Sequence, residues 1–183
     1  VKRIVFLLSI LMIVTACDNK SKAPFGMVWG SSIYKFPKEG LMTFNLVPLS
    51  DTEDMIYVTT VPKDGLGDGG YRFIYKNKKL NRIEFNTYDE TSDLTGEKAK
   101  IKYEALKSNL AERYGKPSKV DEHVYSDDFR FIPCITNQNC GRWESIFIEG
   151  STIAKISIEM GLTEEGYKKT SESSMVKVEF TPK

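Results

Sequence analysis

The chain has 183 residues, with 26 basic and 25 acidic side chains, one histidine and three cysteines. That near-neutral balance, with no basic stripe along the chain, gives no warrant for nucleic acid as a partner. The length suffices for one domain with a real core, and no repeat of fixed period points to a solenoid.

Lys2-Arg3, an apolar run from Ile4 to Val14 broken only by Ser9, and Thr15-Ala16-Cys17 follow one another in the layout of a secretory signal peptide. Ile4 to Ala16 spans about 13 residues, or about 20 Å of helix, too short for a bilayer core of roughly 30 Å. Val14-Thr15-Ala16-Cys17 resembles the lipobox of bacterial lipoproteins, and the resemblance covers residues 1–19 alone. It implies that residues 1–16 are removed, that the Cys17 thiol carries a diacylglyceryl group, and that a lipid bilayer is therefore a partner. Asp18 resembles the signal that retains lipoproteins in the inner membrane, which puts the expected location at its periplasmic face. Removing Lys2 and Arg3 leaves 24 basic against 25 acidic residues. Residues 17–24 read as a lipidated end and short tether, since Asp18 to Pro24 has no apolar repeat. At about 3.3 Å per residue that tether reaches some 23 Å, so the domain at 25–183 stays close to the membrane.

Phe25 to Gly30 alternates large side chains between glycines, with Trp29 read as a core plug or edge cover. Leu41 to Val47 puts Met42, Phe44 and Leu46 on one side of an extended piece that Pro48 interrupts. Asp51 to Asp54 is a polar turn, and Met55 to Val61 is a β-branched strand stopped by Pro62. The glycine-rich stretch 63–70 reads as a hairpin loop, because it lacks the spacing of a phosphate loop or an EF-hand. Tyr71 to Lys76, the turn Asn77-Lys78 and a return strand through Ile83, Phe85 and Thr87 form the clearest hairpin, with mixed charge on its solvated outer face. Tyr88 to Gly96, with Asp89, Glu90 and Asp93, reads as a solvated connector.

From Glu97 the apolar period changes to three and four, through Ala99, Tyr103, Leu106, Leu110 and Tyr114. This predicts an amphipathic helix with a Lys100–Glu104 pair on its outer side, capped by Gly115 and stopped before Pro117. Phe129 to Ile132 reads as extended. Arg142 to Glu149, Ala154 to Met160 and Val176 to Phe180 alternate as strands, with Gly161 to Ser174 as a polar connector. Strands on both sides of one helix define the expected class: α+β, an antiparallel β-sheet with one principal amphipathic helix packed on one face.

Two features carry candidate chemistry. His123 lies between Asp121-Glu122 and Asp127-Asp128, so a carboxylate could orient its ring, but chain order supplies no reacting group. It reads first as a strand-border residue, with general acid or base, pH sensor and metal ligand as alternatives. Cys134 and Cys140 are expected to form a disulfide outside the cytoplasm. With His123 they would make at most three zinc ligands, without the paired spacing of a zinc site. The stapled loop presents Thr136, Asn137, Gln138 and Asn139, the candidate partner-binding residues. Neither Gly-x-Ser-x-Gly nor His-Glu-x-x-His occurs, and no catalytic residue, metal or cofactor is assigned. The expected function is a noncatalytic, membrane-anchored lipoprotein that binds a protein partner, such as a toxin-immunity protein. An envelope-assembly lipoprotein, a small-ligand carrier and an enzyme using His123 are the alternatives, and nothing in the sequence sets an oligomeric state.

Overall fold

The computed structural model of the chain describes residues 21–39, 41, 44–125, 130–136, 140–162 and 168–183. Nine strands join in one antiparallel sheet: β1 (Asn45–Pro48), β2 (Glu53–Val58), β3 (Gly70–Lys76), β4 (Lys79–Asn86), β5 (Glu90–Thr91), β6 (Lys119–Val124), β7 (Gly141–Glu149), β8 (Thr152–Leu162) and β9 (Lys169–Pro182). Their order is β1-β2-β3-β4-β9-β8-β7-β6, with β5 paired to β9 outside that path. One helix of 18 residues, α1 (Glu97–Tyr114), packs on the sheet, and a six-residue helix, α2 (Phe131–Thr136), lies beside its far end. The α+β expectation holds in its coarser form, with the sheet dominant.

Local chemistry makes the hairpins. Asn77 and Lys78 have φ values of 50° and 62°, the left-handed pair whose twist joins two antiparallel strands through two residues. This turn, the Gly150-Ser151 turn and the end of β9 mark what we call the near end of the sheet. At the opposite far end, β6 finishes at Val124 opposite the first residue of β7, Gly141.

The inner face buries Tyr71, Phe73, Phe85, Phe147, Ile156 and Val178. Over β7 to β9 it is covered by Ala99, Tyr103, Leu106 and Leu110 of α1, the predicted stripe. Over β3 and β4 it is covered by the segment before β1. Phe25 meets Tyr71 and Phe180 edge-on at 5.3 and 5.4 Å, and Phe36 meets Phe73 at 4.9 Å. Trp29 is buried and its Nε1 donates to Thr152 Oγ1 at 3.1 Å, as a core plug should. Gly115 ends α1 with φ 75°, its N–H bonded to Ala111 O. Arg113 donates to the carbonyls of Asp64 and Gly65, fixing the glycine-rich loop between β2 and β3 to the helix.

Several segments depart from expectation. Ser21 to Pro24, expected in the tether, belong to the fold: Trp29 N–H donates to Ser21 O, Lys22 bridges Val28, and Ala23 is buried. The first strand begins at Asn45 rather than Leu41, although it ends at Pro48 as expected, and Met42 lies outside the described residues. Asp93 is buried, because two backbone amides of α1 and a serine of β9 replace its water. The polar connector after β8 is shorter than expected. β8 continues to Leu162 and β9 begins at Lys169, with Asp89 accepting Leu162 N–H and Asp93 accepting Ser174 Oγ–H. Phe131 to Thr136 is helical, not extended, since Pro133 falls in the first turn, where no amide is needed. Glu84 on the outer face is buried among Arg82, Lys177 and Arg72, at 3.1, 3.4 and 3.8 Å, so that part of the face is a packed charge cluster. Lys100 turns from Glu104 to lie 3.8 Å over the Phe131 ring.

Candidate functional site

At the far end the sheet forks. β7 pairs with β6 from Gly141, but with β8 only from Glu144, opposite Ser157. Beyond that pair β8 continues beside β9 alone, and α2 packs behind the gap. The disulfide Cys134–Cys140 is present, with Cα atoms 4.8 Å apart, and ties α2 to the residue before β7. Gly141 is required there, because a Cβ would stand 2.7 Å from His123 O and 2.9 Å from Val124 Cα. Phe131 at the start of α2 meets Trp143 edge-on at 5.2 Å, and the Lys100 ammonium caps both rings.

The fork encloses an open cleft of about 460 Å³. Ile135, Trp143, Ile158 and Met160 give it apolar walls, and Thr136 lies on its border. Its rim is charged but internally paired: Lys155 and Arg142 with Glu144 at 2.8 and 3.8 Å, and Lys169 with Glu159 at 3.6 Å. The Trp143 Nε1–H is buried without an acceptor among the described residues.

The predicted residues separate into three groups. Cys134 and Cys140 come together, and exposed Thr136 turns its hydroxyl back to Ile132 O at 3.0 Å. Asn137, Gln138 and Asn139 lie outside the described residues, as do Cys17, Asp18, Asp127 and Asp128. His123 is partly exposed on edge strand β6, with Nδ1 2.7 Å from Asp121 Oδ1 and its ring against Tyr125. Among the described residues, Asp121 is the carboxylate that orients it. Among the described residues no cluster of three or more histidine, cysteine, aspartate or glutamate side chains is placed to hold a metal ion.

Sequence reading missed a second cluster, on the opposite face of the same strands. Glu122 Oε1 accepts from Lys107 at 2.5 Å, Tyr103 at 2.7 Å and Ser145 at 2.8 Å. Alternation along β6 and β7 puts Glu122 and Ser145 inward and His123 outward, so the serine and the histidine do not meet. Burial raises the Glu122 carboxyl, but the bonds from Lys107, Tyr103 and Ser145 outweigh it and hold the group below its ordinary value. Burial foremost, with the charge of Glu122, raises the Tyr103 hydroxyl and keeps it a donor. The arrangement clamps α1 to the sheet edge.

Replacing Glu122 by glutamine is expected to lower stability at neutral pH by about 1–2 kcal/mol, the range of charged hydrogen bonds partly screened by solvent. A carboxyl depressed in the fold contributes fully above its unfolded value, near 4.5, and the contribution fades as pH falls through the lower folded value. Urea midpoints of the two proteins should thus converge on acidification below that value. Curves that stay parallel would remove Glu122 from the acid response.

The fold and fork define an antiparallel β-sheet protein with one long covering helix and a disulfide-bounded cleft at one end of the sheet. No protein-family model, curated protein or solved structure matches the chain.

Proposed function

We propose that the chain is a bacterial lipoprotein, anchored through acylated Cys17 and retained at the inner membrane by Asp18, whose far end captures a protein partner without catalysing a reaction. The observation that carries the partner-binding reading is the disulfide-stapled α2 beside the forked cleft. A pre-ordered surface loses less entropy on binding, and a mostly polar, charged cleft with Ile135, Trp143, Ile158 and Met160 among its lining residues suits a polar protein surface. Thr136 borders that surface. His123 lies on the adjoining edge strand, opposite Arg142 and held by Asp121.

Neutralising a toxin by covering its active surface asks for this combination of rigidity and membrane position, and no chemistry. Among the described residues no helix is long and apolar enough to cross a membrane. The test is crosslinking and pull-down of the acylated chain from its native envelope, with the partners identified by mass spectrometry. Changing Cys134 and Cys140 to serine, or Arg142→Glu at the rim, is expected to reduce recovery by about tenfold or more while circular dichroism is unchanged. Equal recovery from the folded variants would remove the cleft from the interface. Recovery within a large resident complex, with no secreted effector among the partners, would replace toxin neutralisation by an assembly role.

A further inference from the structure

The chain enters the fold at the near end. Lys22 O accepts from Ser151 and Thr152, and Ser21 O accepts from Trp29 N–H. Around that point five lysines are exposed: Lys22, Lys35, Lys76, Lys79 and Lys183. Among the described residues none of the five is in an ion pair, whereas neighbouring Lys78 pairs with Asp54 at 2.8 Å. Their proximity follows from the hydrogen bonds. Ser32 bridges Lys79, Ile33 N–H donates to Lys78 O, and Lys183 N–H donates to Ser151 O. Trp29, Lys76, Lys79 and Pro182 border one shallow depression. Tyr34 projects from the turn Ile33–Lys35 with 82 % of its surface exposed. The carboxylates at this end, Asp51, Glu53 and Glu149, are fewer than the lysines once Lys78 and Asp54 are set against each other.

We infer that the near end is a docking face for an anionic phospholipid surface, with Lys22, Lys35, Lys79 and Lys183 on the headgroups and Tyr34 at their level. This rests on the lipid-anchor reading. Four residue steps separate Ser21 from Cys17, and at full extension they span at most about 14 Å, so an acylated Cys17 brings this end to the bilayer before any other. Each lysine held at an anionic surface strengthens association about fivefold, and an amphipathic tyrosine ring favours the interfacial layer. The anchor supplies proximity, and the lysines supply orientation.

Orientation has a consequence for the cleft. β8 starts at Thr152, bonded to Lys22, and reaches the cleft wall at Met160. Eight steps at about 3.3 Å place the cleft some 26 Å along the strand from the docking face. The partner surface is thereby presented away from the lipid, open to a protein arriving through the aqueous phase.

The experiment is amine-acylation footprinting of the full acylated chain in phosphatidylcholine vesicles, in the same vesicles with phosphatidylglycerol added, and in detergent micelles. The expected result is labelling of Lys22, Lys35, Lys79 and Lys183 reduced about fivefold or more by phosphatidylglycerol, reversed by salt, with Lys168 and Lys169 at the far end unchanged. Changing the four lysines to glutamine should abolish the difference for Lys76 while the protein stays on the vesicles. Equal labelling in both vesicle types overturns the docking face. Protection already present in detergent assigns this end to a second copy of the chain and overturns it as well. Intact mass reports the anchor independently: a mature chain not acylated at Cys17 removes the anchor reading, whereas an acylated chain with unprotected lysines removes the docking face alone.

Discussion

Gly96→Ala is expected to lower the stability of the fold by about 3 kcal/mol, read as a shifted urea midpoint at unchanged slope. Gly96 sits immediately before α1 with φ 69°, a left-handed conformation that costs an alanine about 1 kcal/mol. A Cβ at this position would also enter the ring of Phe131. That ring is buried and cannot step aside freely, because Trp143 lies against its edge and Lys100 over its face. Overpacking of this kind costs about 1–3 kcal/mol, and the two contributions have separate causes. Since Phe131 opens α2, its displacement tilts the cleft wall, and partner capture should weaken along with stability. A loss below about 1 kcal/mol would mean that α2 moves as a unit and is less firmly seated than its packing indicates.

Asp93→Ala is expected to cost slightly more, about 3–4 kcal/mol. The carboxylate is 2 % exposed. Oδ1 accepts from Lys98 N–H at 3.1 Å, and Oδ2 accepts from Ala99 N–H at 3.0 Å and Ser174 Oγ–H at 2.6 Å. Those amides are two of the donors that the first turn of any helix leaves open, and a negative charge there also complements the helix dipole. Alanine would strand both amides and a buried hydroxyl. Asparagine keeps one carbonyl acceptor and should fall between alanine and wild type. The ranking wild type, asparagine, alanine in thermal or urea unfolding is the check, and an alanine variant as stable as wild type would refute it. Gly96 N–H donates to Asp93 O, so the two sites are mechanically joined. The double variant should lose less than the sum of the two single losses.

How far the sequence revealed these features depends on the range of the interactions that make them. The β3–β4 hairpin was legible because the alternation of Tyr71, Phe73, Ile83 and Phe85 and the turn at Asn77-Lys78 act within a few residues of one another. α1 was legible from Glu97 to Gly115 for the same reason, and Cys134–Cys140 because the pair closes a short loop. Phe131 to Ile132 was misread because two adjacent apolar residues fit a strand or a buried helix equally well. Their helical state follows from docking on Gly96 and Trp143, which lie 35 residues before and 12 residues after Phe131 in the chain. Asp93 was read as part of a solvated connector, and Glu122 and Ser145 were given no role, because polarity signals exposure when partners are unknown. Each is instead satisfied across the fold, Asp93 by Ser174 and Glu122 by Lys107 and Ser145.

The sequence by itself determined the local alternations, the helix and its Gly115 cap, the cysteine pair, and the signal-like stretch at residues 1–17 on which the proposed anchoring rests, because each depends on spacing along the chain. The tertiary structure alone decided that the last strand runs through the middle of the sheet, that β7 and β8 part to leave a cleft beside α2, and that exposed lysines gather beside Ser21 and Lys22. Those outcomes depend on which distant segments share a register and a face, and register is set by long-range packing that no local period encodes.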